Sequence, residues 1–429
     1  MRVRDYFPPS AWPPLTDGLS FYTPLTRDHG TVPIHSAAGS TGLSTETVDG
    51  DGTYTEAYSD LIVGASANTA RVGKDGMVSE VASQNELTRS YTYAHGDWTK
   101  SGTSAASDAT AETLDPQGGS NASKITGIGA IGDSDYMFQN ISITNSAEAG
   151  VGVWIKRIST AGVLNLQNSA AGAASGDWDV DMSALPDEWV RLTPSSPYVT
   201  VVAGFNADGA GNLGVLFVRD SGASKLSFYL WNSQVEDNGV GGSNAPTTDI
   251  PTVAAAVTRA KEDLRYSNAG EAHLDNAAGT IIFAVTPDYD ASHPTLTVPF
   301  SAVEADFTDG VRFEHNQGVS KWRFVVRSGN AEQAALASSS GASNGTPVVL
   351  AGVYAANDAR LYTNGADEQA DTSVTVPVGM NTTMYPGQAR NGANQLNGKI
   401  QHLLCYNRAL TAAEILQVTQ WIQGRIGAL

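Results

Sequence analysis

Short apolar runs separated by turn-forming residues recur along most of this chain, and their spacing constrains its fold more than any other feature. Runs at 151–155, 226–231, 279–285 and 348–354 are each followed within a few residues by Gly, Asn, Asp or Ser. Runs of this length between turn signals are typical of β-strands. Only 16% of the residues are charged, against roughly 25% in an ordinary soluble domain, which disfavours exposed helices. The sequence therefore predicts an all-β fold.

Alternation within single runs indicates sandwiches. In KLSFYLWNSQVE, Leu226, Phe228 and Leu230 fall on one face of a strand, while Tyr229 and Trp231 fall on the other, because successive side chains point to opposite faces. The run GVGVWIKR also carries apolar side chains on both faces. Such strands are expected inside two-sheet sandwiches. We therefore predict tandem β-sandwich (jelly-roll) domains.

One helix is predicted near the C-terminal end of the sequence. Thr411 and Glu414 have the spacing of a capping box, in which each side chain accepts a hydrogen bond from the other residue's backbone N–H. Ile415, Val418 and Ile422 follow at the spacing of one helical face. We expect this helix to lie across the last sandwich.

The first 30 residues are rich in proline and aromatic side chains. Pro-Pro pairs do not enter helix interiors or central strands, so we predict an extended N-terminal arm. The arm has little apolar sequence of its own against which to bury aromatic rings. We interpret it as an anchor that orders on another protein, with packing on the first domain as the alternative. The anchoring residues are Tyr6, Phe7 and Trp12.

Four segments follow from these patterns. Residues 1–60 are predicted to form the N-terminal anchoring arm and linker. Residues 61–90 are predicted to form a small β-hairpin region, because the turn signal KDG separates two short apolar runs. Residues 91–265 and 266–429 are predicted to form the two sandwiches. The stretch SNAPTTDIP (243–251) has the composition of a linker between them.

The net charge of −19 and the single cysteine exclude several classes of protein. An acidic chain is repelled by nucleic acid and by anionic membranes, and no segment reaches the roughly 18 apolar residues that span a bilayer. The first residues lack the apolar core of a signal peptide, so we expect synthesis in a cytoplasm. Cys405 cannot form an internal disulfide, and its sequence context predicts a strand residue facing a core.

The C-terminal sandwich resembles the laminin-G-like or concanavalin A-like jelly-roll family. The resemblance rests on GTIIFAV at 279–285, VVLAGVY and ARLYTNGA within 348–366, and LNGKIQHLLCYNRALTAAEI at 396–415. It implies a jelly roll closed by the C-terminal helix. The family spans lectins, adhesion modules and glycanases, so the resemblance implies a fold more than a function.

Residues 85–265 resemble a carbohydrate-binding-like sandwich of phage virion proteins. The resemblance rests on NELTRSYTYAHGDWTKSG at 85–102, YLWNSQVEDNG at 229–239 and PTTDIPTVAAAVTRAKEDL at 246–264. The preceding ANTARVGKDGMVSEV is similar to a short hairpin found before such domains. The two resemblances imply a head-spike, head-fibre or tail-fibre protein of a phage, or a gene-transfer-agent relative.

The function implied is a structural protein of the virion surface that binds host cell-surface polysaccharide and promotes adsorption. It is expected to be made in the bacterial cytoplasm, to contact other virion proteins through its N-terminal arm and to form a symmetric homo-oligomer. Nucleic acid and membrane are not expected partners. One alternative is a capsid decoration or cement protein with no glycan ligand, and another is a capsule depolymerase.

The depolymerase alternative depends on one acidic motif. One jelly-roll glycosidase family has an E-x-D-x-x-E motif, and this chain has Glu304, Asp306 and Asp309 at the corresponding positions. The last position is Asp where that family places the longer Glu as general acid, and retaining hydrolysis needs two carboxyl groups about 5–5.5 Å apart. We therefore expect no catalytic residues and predict that the protein is not an enzyme.

Aromatic residues in polar, loop-like sequence are the candidates for sugar binding, because pyranose rings stack their C–H faces on aromatic rings. The candidates are Tyr136, Trp178 and Tyr385. Tryptophans within strand patterns are instead expected in the cores, namely Trp154, Trp231 and Trp322.

No cofactor is expected, with calcium as the open alternative. The histidines show no zinc-binding spacing, and we predict no metal ligands. Oxygen ligands for Ca²⁺ could come from three pairs, although none has the spacing of a dedicated calcium loop. The pairs are Asp288 and Asp290, Asp306 and Asp309, and Asn357 and Asp358.

Overall fold

The computed structural model describes residues 14–15, 17–23, 35–36, 72–73, 76–79, 83–102, 104–107, 113–116, 119–129, 135–143, 149–168, 177–194, 196–203, 205, 212–219, 225–237, 246, 250, 252–259, 266–267, 274–293, 295–304, 307–316, 318–380, 383–390 and 394–426. These residues form two compact units. The central unit contains the described residues from 83 to 259. The C-terminal unit contains those from 266 onward together with the described residues before 80.

The strands are numbered along the chain. The first four belong to the C-terminal unit: β1 (Leu19–Thr23), β2 (His35–Ser36), β3 (Val72–Gly73) and β4 (Gly76–Ser79). The central unit contains β5 (Ser83–Asn85), β6 (Thr99–Ser101), β7 (Ser104–Ser107), β8 (Ser123–Ile128), β9 (Tyr136–Ser142), β10 (Gly150–Arg157), β11 (Val163–Asn168), β12 (Asp177–Asp181), β13 (Val190–Leu192), β14 (Val199–Ala203), β15 (Asn212–Arg219), β16 (Leu226–Glu236) and β17 (Val257–Arg259).

The C-terminal unit continues with β18 (Tyr266–Ser267), β19 (Ala278–Pro287), β20 (Thr297–Val303), β21 (Gly310–Asn316), β22 (Lys321–Ser328), β23 (Ala331–Ala337), β24 (Val348–Ala355), β25 (Asp358–Thr363), β26 (Ala366–Asp371), β27 (Thr383–Pro386), β28 (Gly398–Tyr406) and the helix α1 (Ala412–Ile426). Together these elements confirm the predicted all-β class with one C-terminal helix.

Two antiparallel sheets form the central unit. One has the order β13-β10-β16-β5-β17, with β8 and β7 alongside β16, and the other has the order β14-β12-β11-β15-β9-β6. Apolar side chains from both sheets form one buried core. β16 alternates as predicted: Phe228 and Leu230 lie in that core, whereas Tyr229 and Trp231 lie in a separate aromatic cluster with Trp154 of β10.

Two residues of the stretch NELTRSYTYAHGDWTKSG (85–102) have structural roles at the start of the central unit. Trp98 is 1% exposed within the core, and its Nε1 donates a hydrogen bond to Arg89 O at 2.8 Å. Lys100 Nζ donates to the carbonyl oxygens of Tyr93 at 3.0 Å and Trp98 at 2.9 Å. The side chains of Trp98 and Lys100 therefore fix the loop that precedes β6.

The stretch 243–251, predicted as a linker, is held against the central unit where the structure describes it. Pro246 and Ile250 are both buried. Ile250 N donates to Gln234 Oε1 at 2.9 Å, and Asn85 Nδ2 donates to Ile250 O at 2.8 Å. The prediction of a linker is wrong at these residues, because both backbone polar groups of Ile250 have buried side-chain partners.

The C-terminal unit is a second sandwich. One sheet has the order β2-β1-β28-β19-β24-β25-β26, and the other has the order β18-β27-β20-β21-β22-β23. The core between them includes Cys405, which is fully buried as predicted. Gly352 permits this close packing, because a Cβ there would lie 2.6 Å from the rings of Phe313 and Phe324 on the opposite sheet.

The C-terminal helix covers the outer face of the first of these sheets. Ile415, Val418 and Ile422 pack against apolar residues of β19, β24 and β28. Thr411 N donates to Glu414 Oε2 at 2.8 Å, and Glu414 N donates to Thr411 Oγ1 at 3.4 Å. The predicted capping box, helical face and location of the helix are confirmed.

The N-terminal strands differ from the predicted domain boundaries. β1 pairs with β28 (Tyr22 opposite Leu404), and β4 pairs with the same edge of β28 (Val78 opposite Lys399). Within the predicted segment 61–90, β4 therefore belongs to the C-terminal unit, whereas β5 belongs to the central unit. The hairpin predicted at KDG is confirmed, because β3 and β4 pair with Gly73 opposite Gly76. The predicted boundaries of segments 1–60 and 61–90 are wrong at β1 and β4, because these strands pair with β28 of the C-terminal unit.

No helix in the described part of the chain is long and apolar enough to cross a bilayer.

Candidate ligand-binding site

Loops at one end of the C-terminal sandwich are joined by two polar side chains. Asp309 Oδ1 accepts hydrogen bonds from Gly329 N at 3.0 Å and Val378 N at 3.1 Å. Asn276 Nδ2 donates to Val378 O at 3.3 Å, and Met380 N donates to Asn276 Oδ1 at 2.9 Å. Loops fixed in this way on a sandwich are a common location of binding sites. We call these loop residues, 274–277, 307–309, 329–330 and 378–380, together with Arg312 and Arg327 of the adjoining strands, the rim.

Phe307 has an unusual backbone conformation within the rim. Its φ is 54°, in the left-handed region that a bulky residue rarely adopts. Phe307 N donates to Glu304 O at 3.1 Å, which closes the turn between β20 and β21. The half-buried ring lies 4.1 Å from Arg312 Cζ and 5.1 Å from Arg327 Cζ. The turn therefore brings one aromatic ring against two guanidinium groups.

The arginines lie on the sheet face opposite to the core, because their strand neighbours Val311 and Val326 face the core. Glu314, which is 2% exposed, accepts hydrogen bonds from Arg312 and from Arg323 Nη1, the latter at 2.7 Å. Burial of a carboxylate is unfavourable unless it is paired. Glu314 therefore holds two guanidinium groups in fixed positions on this face.

Arg327 has a different environment. Its Nη2 donates to Asn330 O at 2.9 Å. In the described chain its guanidinium has no carboxylate partner, and its Nε has no hydrogen-bond partner. Arg327 is thus a positive charge beside the Phe307 ring that makes no ion pair within 4.0 Å in the described residues. This local charge contrasts with the net charge of −19 of the whole chain.

The rim offers three kinds of contact within a small area. Phe307 supplies an aromatic ring, Arg312 and Arg327 supply planar arrays of N–H donors, and Val378, which is 74% exposed, supplies apolar surface. Few apolar side chains of this size are so exposed elsewhere in the described chain. A ligand that combines C–H faces with oxygen acceptors, such as a sugar ring, matches these groups.

Trp178 is not available for ligand binding. It lies in β12 and is 1% exposed, with its ring 5.1 Å from Phe205 in an edge-to-face arrangement. The expectation of an exposed loop was wrong because the sequence DWDVD forms a strand. Trp178 and Val180 point into the central core, and Asp179 between them points to the opposite face of the strand.

The other two aromatic candidates lie in different units. Tyr385 is 5% exposed within β27, opposite Ser301, so its expected exposure was also wrong. Tyr136 begins β9 and is half-buried, with its ring 5.8 Å from that of Phe138. Tyr136 therefore stays a candidate in the central unit, separate from the rim. The predicted anchoring residues lie outside the described residues, namely Tyr6, Phe7 and Trp12.

The acidic motif at 304–309 forms the turn of the β20–β21 hairpin. Asp309 occupies the position of the general acid in the glycosidase motif, yet one of its oxygens accepts two backbone hydrogen bonds. Glu304 N donates to Asp309 O at 2.9 Å, which closes the same turn. Asp306 lies outside the described residues. The arrangement of Asp309 is that of a residue that holds loops together.

Two of the residues considered for calcium have hydrogen-bond partners of their own. Asp290 Oδ1 accepts from Asn344 N at 3.0 Å. Both carboxylate oxygens of Asp358 accept from Arg360 Nε, at 3.0 and 3.3 Å. Among the described residues, no group of three His, Cys, Asp or Glu side chains is placed to hold a metal ion.

Sequence reasoning missed Phe307, Arg312 and Arg327. The alternation in GVRFEHN, with Arg312 and Glu314 on the face opposite Phe313, was a usable signal for a polar sheet face. The position of Phe307 had no such signal, because its backbone conformation depends on the turn it closes.

A match to one protein family supports the fold of the C-terminal unit. Residues 262–416 match the family described as the concanavalin A-like lectin/glucanases superfamily. Similar solved structures include the botulinum neurotoxin serotype D binding domain, at 12% identity and a TM-score of 0.29 over 38% of this chain and 42% of that chain. Another is the botulinum neurotoxin type G receptor binding domain, at 13% identity and a TM-score of 0.28 over 35% and 38%. No curated protein matches the sequence.

This chain thus spans less than half of the length of those two domains, and likenesses this weak transfer no function. The family match and the two packed sheets both indicate a jelly roll. The C-terminal unit is a laminin-G/concanavalin A-like jelly roll with a lectin-like fold, as its sequence predicted. Lectins and glucanases share this fold, so the fold alone does not identify a ligand or a reaction.

Proposed function

We propose that this protein is a non-enzymatic glycan-binding protein, displayed on the surface of a phage or phage-derived particle, that attaches the particle to host polysaccharide. The observation that carries the glycan-binding part is the rim of a lectin-like jelly roll, where Phe307 lies against Arg312 and Arg327. Sugar rings stack on aromatic faces, and their oxygens accept from guanidinium N–H groups. Both kinds of group converge at this rim.

The non-enzymatic part is supported by the state of the acidic motif. A general acid needs a carboxyl group that is free to donate a proton to the leaving group. Asp309 instead accepts hydrogen bonds from Gly329 N and Val378 N. Loss of these bonds would separate the loops that form the rim. Asp309 is therefore better suited to shaping a binding site than to cleaving a ligand.

The particle-surface part is supported by the sequence resemblance over residues 85–265 and by the aromatic N-terminal residues. In this proposal the arm contacts other virion proteins, several copies assemble symmetrically, and the rim faces outward. The protein is made in the bacterial cytoplasm and needs no cofactor for binding. Calcium is therefore expected to have no effect on glycan affinity.

A glycan array of capsule and lipopolysaccharide fragments tests the binding part directly. The purified chain is applied with calcium and with a chelator, and each retained glycan is then sized by chromatography. We expect saturable binding that the chelator leaves unchanged, with no shortening of the glycan. Shortened products would replace the proposal with a depolymerase. Retention of no glycan would overturn it in favour of a shell-decoration role.

Particle attachment is tested separately by deleting the gene from the particle's genome. We expect assembled particles that adsorb poorly to host cells. Normal adsorption combined with fragile particles would contradict the attachment role and favour a cement protein.

A further inference from the structure

We infer that the rim is selective for acidic glycans, with the carboxylate or sulfate group of a sugar bound by Arg327 and Arg312 next to the Phe307 ring. This inference rests on the glycan-binding function proposed above and names the class of ligand. Its basis is the imbalance of charge on the outer face of β21 and β22.

The arginines on the outer face of β21 and β22 are unequally paired with carboxylates. Glu314 is shared by Arg312 and Arg323, and Glu332 approaches Arg323 at 3.9 Å. Arg327 is left with no carboxylate within 4.0 Å in the described chain. An arginine without a counter-ion on a strongly acidic protein is a local attractor for anions. Glu332 stands opposite Arg327 in the strand register, yet its ion pair is with Arg323, so Arg327 has no direct ion pair on this face among the described residues.

Arg312 and Arg327 both have N–H donors that make no hydrogen bond in the described chain. A guanidinium group has N–H donors on three nitrogens and never accepts a hydrogen bond. Arg327 uses only Nη2, toward Asn330 O, and Arg312 uses only Nη2, toward Glu314. The Nε atoms of both residues are buried without a partner in the described chain, whereas their Nη1 atoms are not among the buried polar atoms. Donors therefore stay available on both guanidinium groups.

The guanidinium groups of Arg312 and Arg327 are preorganised for binding. Both guanidinium groups lie against the same ring, with Cζ–centroid distances of 4.1 and 5.1 Å. The ion pair with the buried Glu314 also holds the guanidinium group of Arg312 in position. Side chains already held in place lose little conformational freedom on binding, which favours affinity. Planar donors in fixed positions match a carboxylate or sulfate better than a neutral hydroxyl group.

Matched pairs of oligosaccharides test the inference. Oligogalacturonate, oligomannuronate and hyaluronan oligomers are each compared with their carboxyl-reduced counterparts, and dextran sulfate is compared with dextran. Binding of the full chain is measured by titration calorimetry. We expect at least one acidic member to bind about tenfold or more tightly than its neutral counterpart, as expected for a charge-assisted hydrogen bond.

Three variants locate the effect. Arg327→Gln is expected to abolish the preference, because the acidic member loses a charge-assisted hydrogen bond whereas the neutral member loses at most an uncharged one. Arg327→Lys is expected to retain part of the preference, because it keeps the charge and loses the planar donors. Lys321→Gln is the control for charge on the same strand, and it is expected to retain the full preference. Circular dichroism confirms that each variant is folded.

The possible failures are distinguishable. Equal binding of acidic and neutral members would overturn the inference and leave glycan binding in place. An acidic preference that Arg327→Gln leaves intact would assign the anion site elsewhere and overturn it too. Binding to none of the pairs would also overturn it, while neutral glycans retained on the array would still support the proposed function. Polyphosphate binding as tight as that of the acidic glycans would overturn the inference, because it would show a general anion site without selectivity for glycans.

Discussion

The ring of Phe307 lies 4.1 Å from the guanidinium carbon of Arg312, on a backbone with a φ of 54°. A left-handed backbone costs a bulky residue roughly 1–3 kcal/mol. A ring–guanidinium contact at a partly exposed position returns only about 0.5–1 kcal/mol. The strained turn is therefore not explained by local stability alone, and strain of this kind concentrates at functional sites.

Replacement of Phe307 by glycine tests this relationship. Glycine adopts positive φ without a steric cost, so we expect Phe307→Gly to leave the melting temperature unchanged within about 2–4 °C. Glycan affinity is expected to fall, because the ring is lost. Scanning calorimetry and ligand titration measure the two effects. A large loss of stability with unchanged affinity would show that the ring serves only the fold.

Substitutions of Asp309 distinguish a structural role of its carboxylate from a catalytic role. Asp309→Asn keeps an Oδ1 acceptor for Gly329 N and Val378 N, so we expect nearly full stability and glycan binding. Asp309→Ala removes the acceptor of both bonds and is expected to cost about 1–3 kcal/mol, as measured by urea unfolding. A glycan-cleaving activity in the native protein that Asp309→Asn abolishes would contradict this role.

His315 makes the stability of the C-terminal unit sensitive to acid. Its ring is fully buried, 5.1 Å from Trp322 and 5.5 Å from Tyr289. Burial, helped by the nearby His293, lowers the pKa of His315 from 6.5 to about 4. The unfolded chain therefore binds a proton at a higher pH than the folded chain does. The stabilisation is complete above pH 6.5 and is lost as the pH falls toward 4, by an amount of about 3 kcal/mol.

Replacement of His315 by phenylalanine is expected to remove this dependence of stability on pH, because phenylalanine keeps an aromatic ring at the position and does not titrate. The difference in unfolding free energy between the native protein and His315→Phe should therefore change between pH 6.5 and 4, in favour of the variant. His95→Gln, at an exposed position, is the control. A pH-independent difference between the native protein and His315→Phe would contradict the assignment.

Leu19 tests whether the N-terminal strand is part of the jelly roll. It is 4% exposed and packs in the cluster beneath the C-terminal helix. Loss of a buried leucine side chain costs about 2–5 kcal/mol, so Leu19→Ala should lower the urea midpoint clearly. Leu416→Ala is the matched control, since Leu416 is 43% exposed. Equal effects of the two substitutions would argue that β1 contributes no packing energy.

The parts of the fold that depend on local sequence were predictable. Tyr229 and Trp231 separate from Leu230 because strand alternation is a property of neighbouring residues. Thr411 and Glu414 form the predicted capping box for the same reason. The pairing of β1 with β28 joins residues almost 400 positions apart, and no local pattern encodes such a pairing.

The candidate site was less predictable than the fold. The acids around Trp178 suggested an exposed loop, whereas the same alternation in DWDVD buries the tryptophan. A polar environment in sequence is thus weak evidence for the exposure of a single aromatic residue. Phe307 and Arg327 are 20 positions apart in sequence, and only the hairpin geometry brings them together.

Amide hydrogen exchange with and without a glycan retained on the array tests the central claim most directly, because it locates the bound ligand along the chain. We predict added protection at residues 304–314 and 323–330, with the same glycan giving no such protection in Phe307→Gly. Protection confined to residues of the central unit, or protection that Phe307→Gly leaves unchanged, would contradict the assignment of glycan binding to the rim.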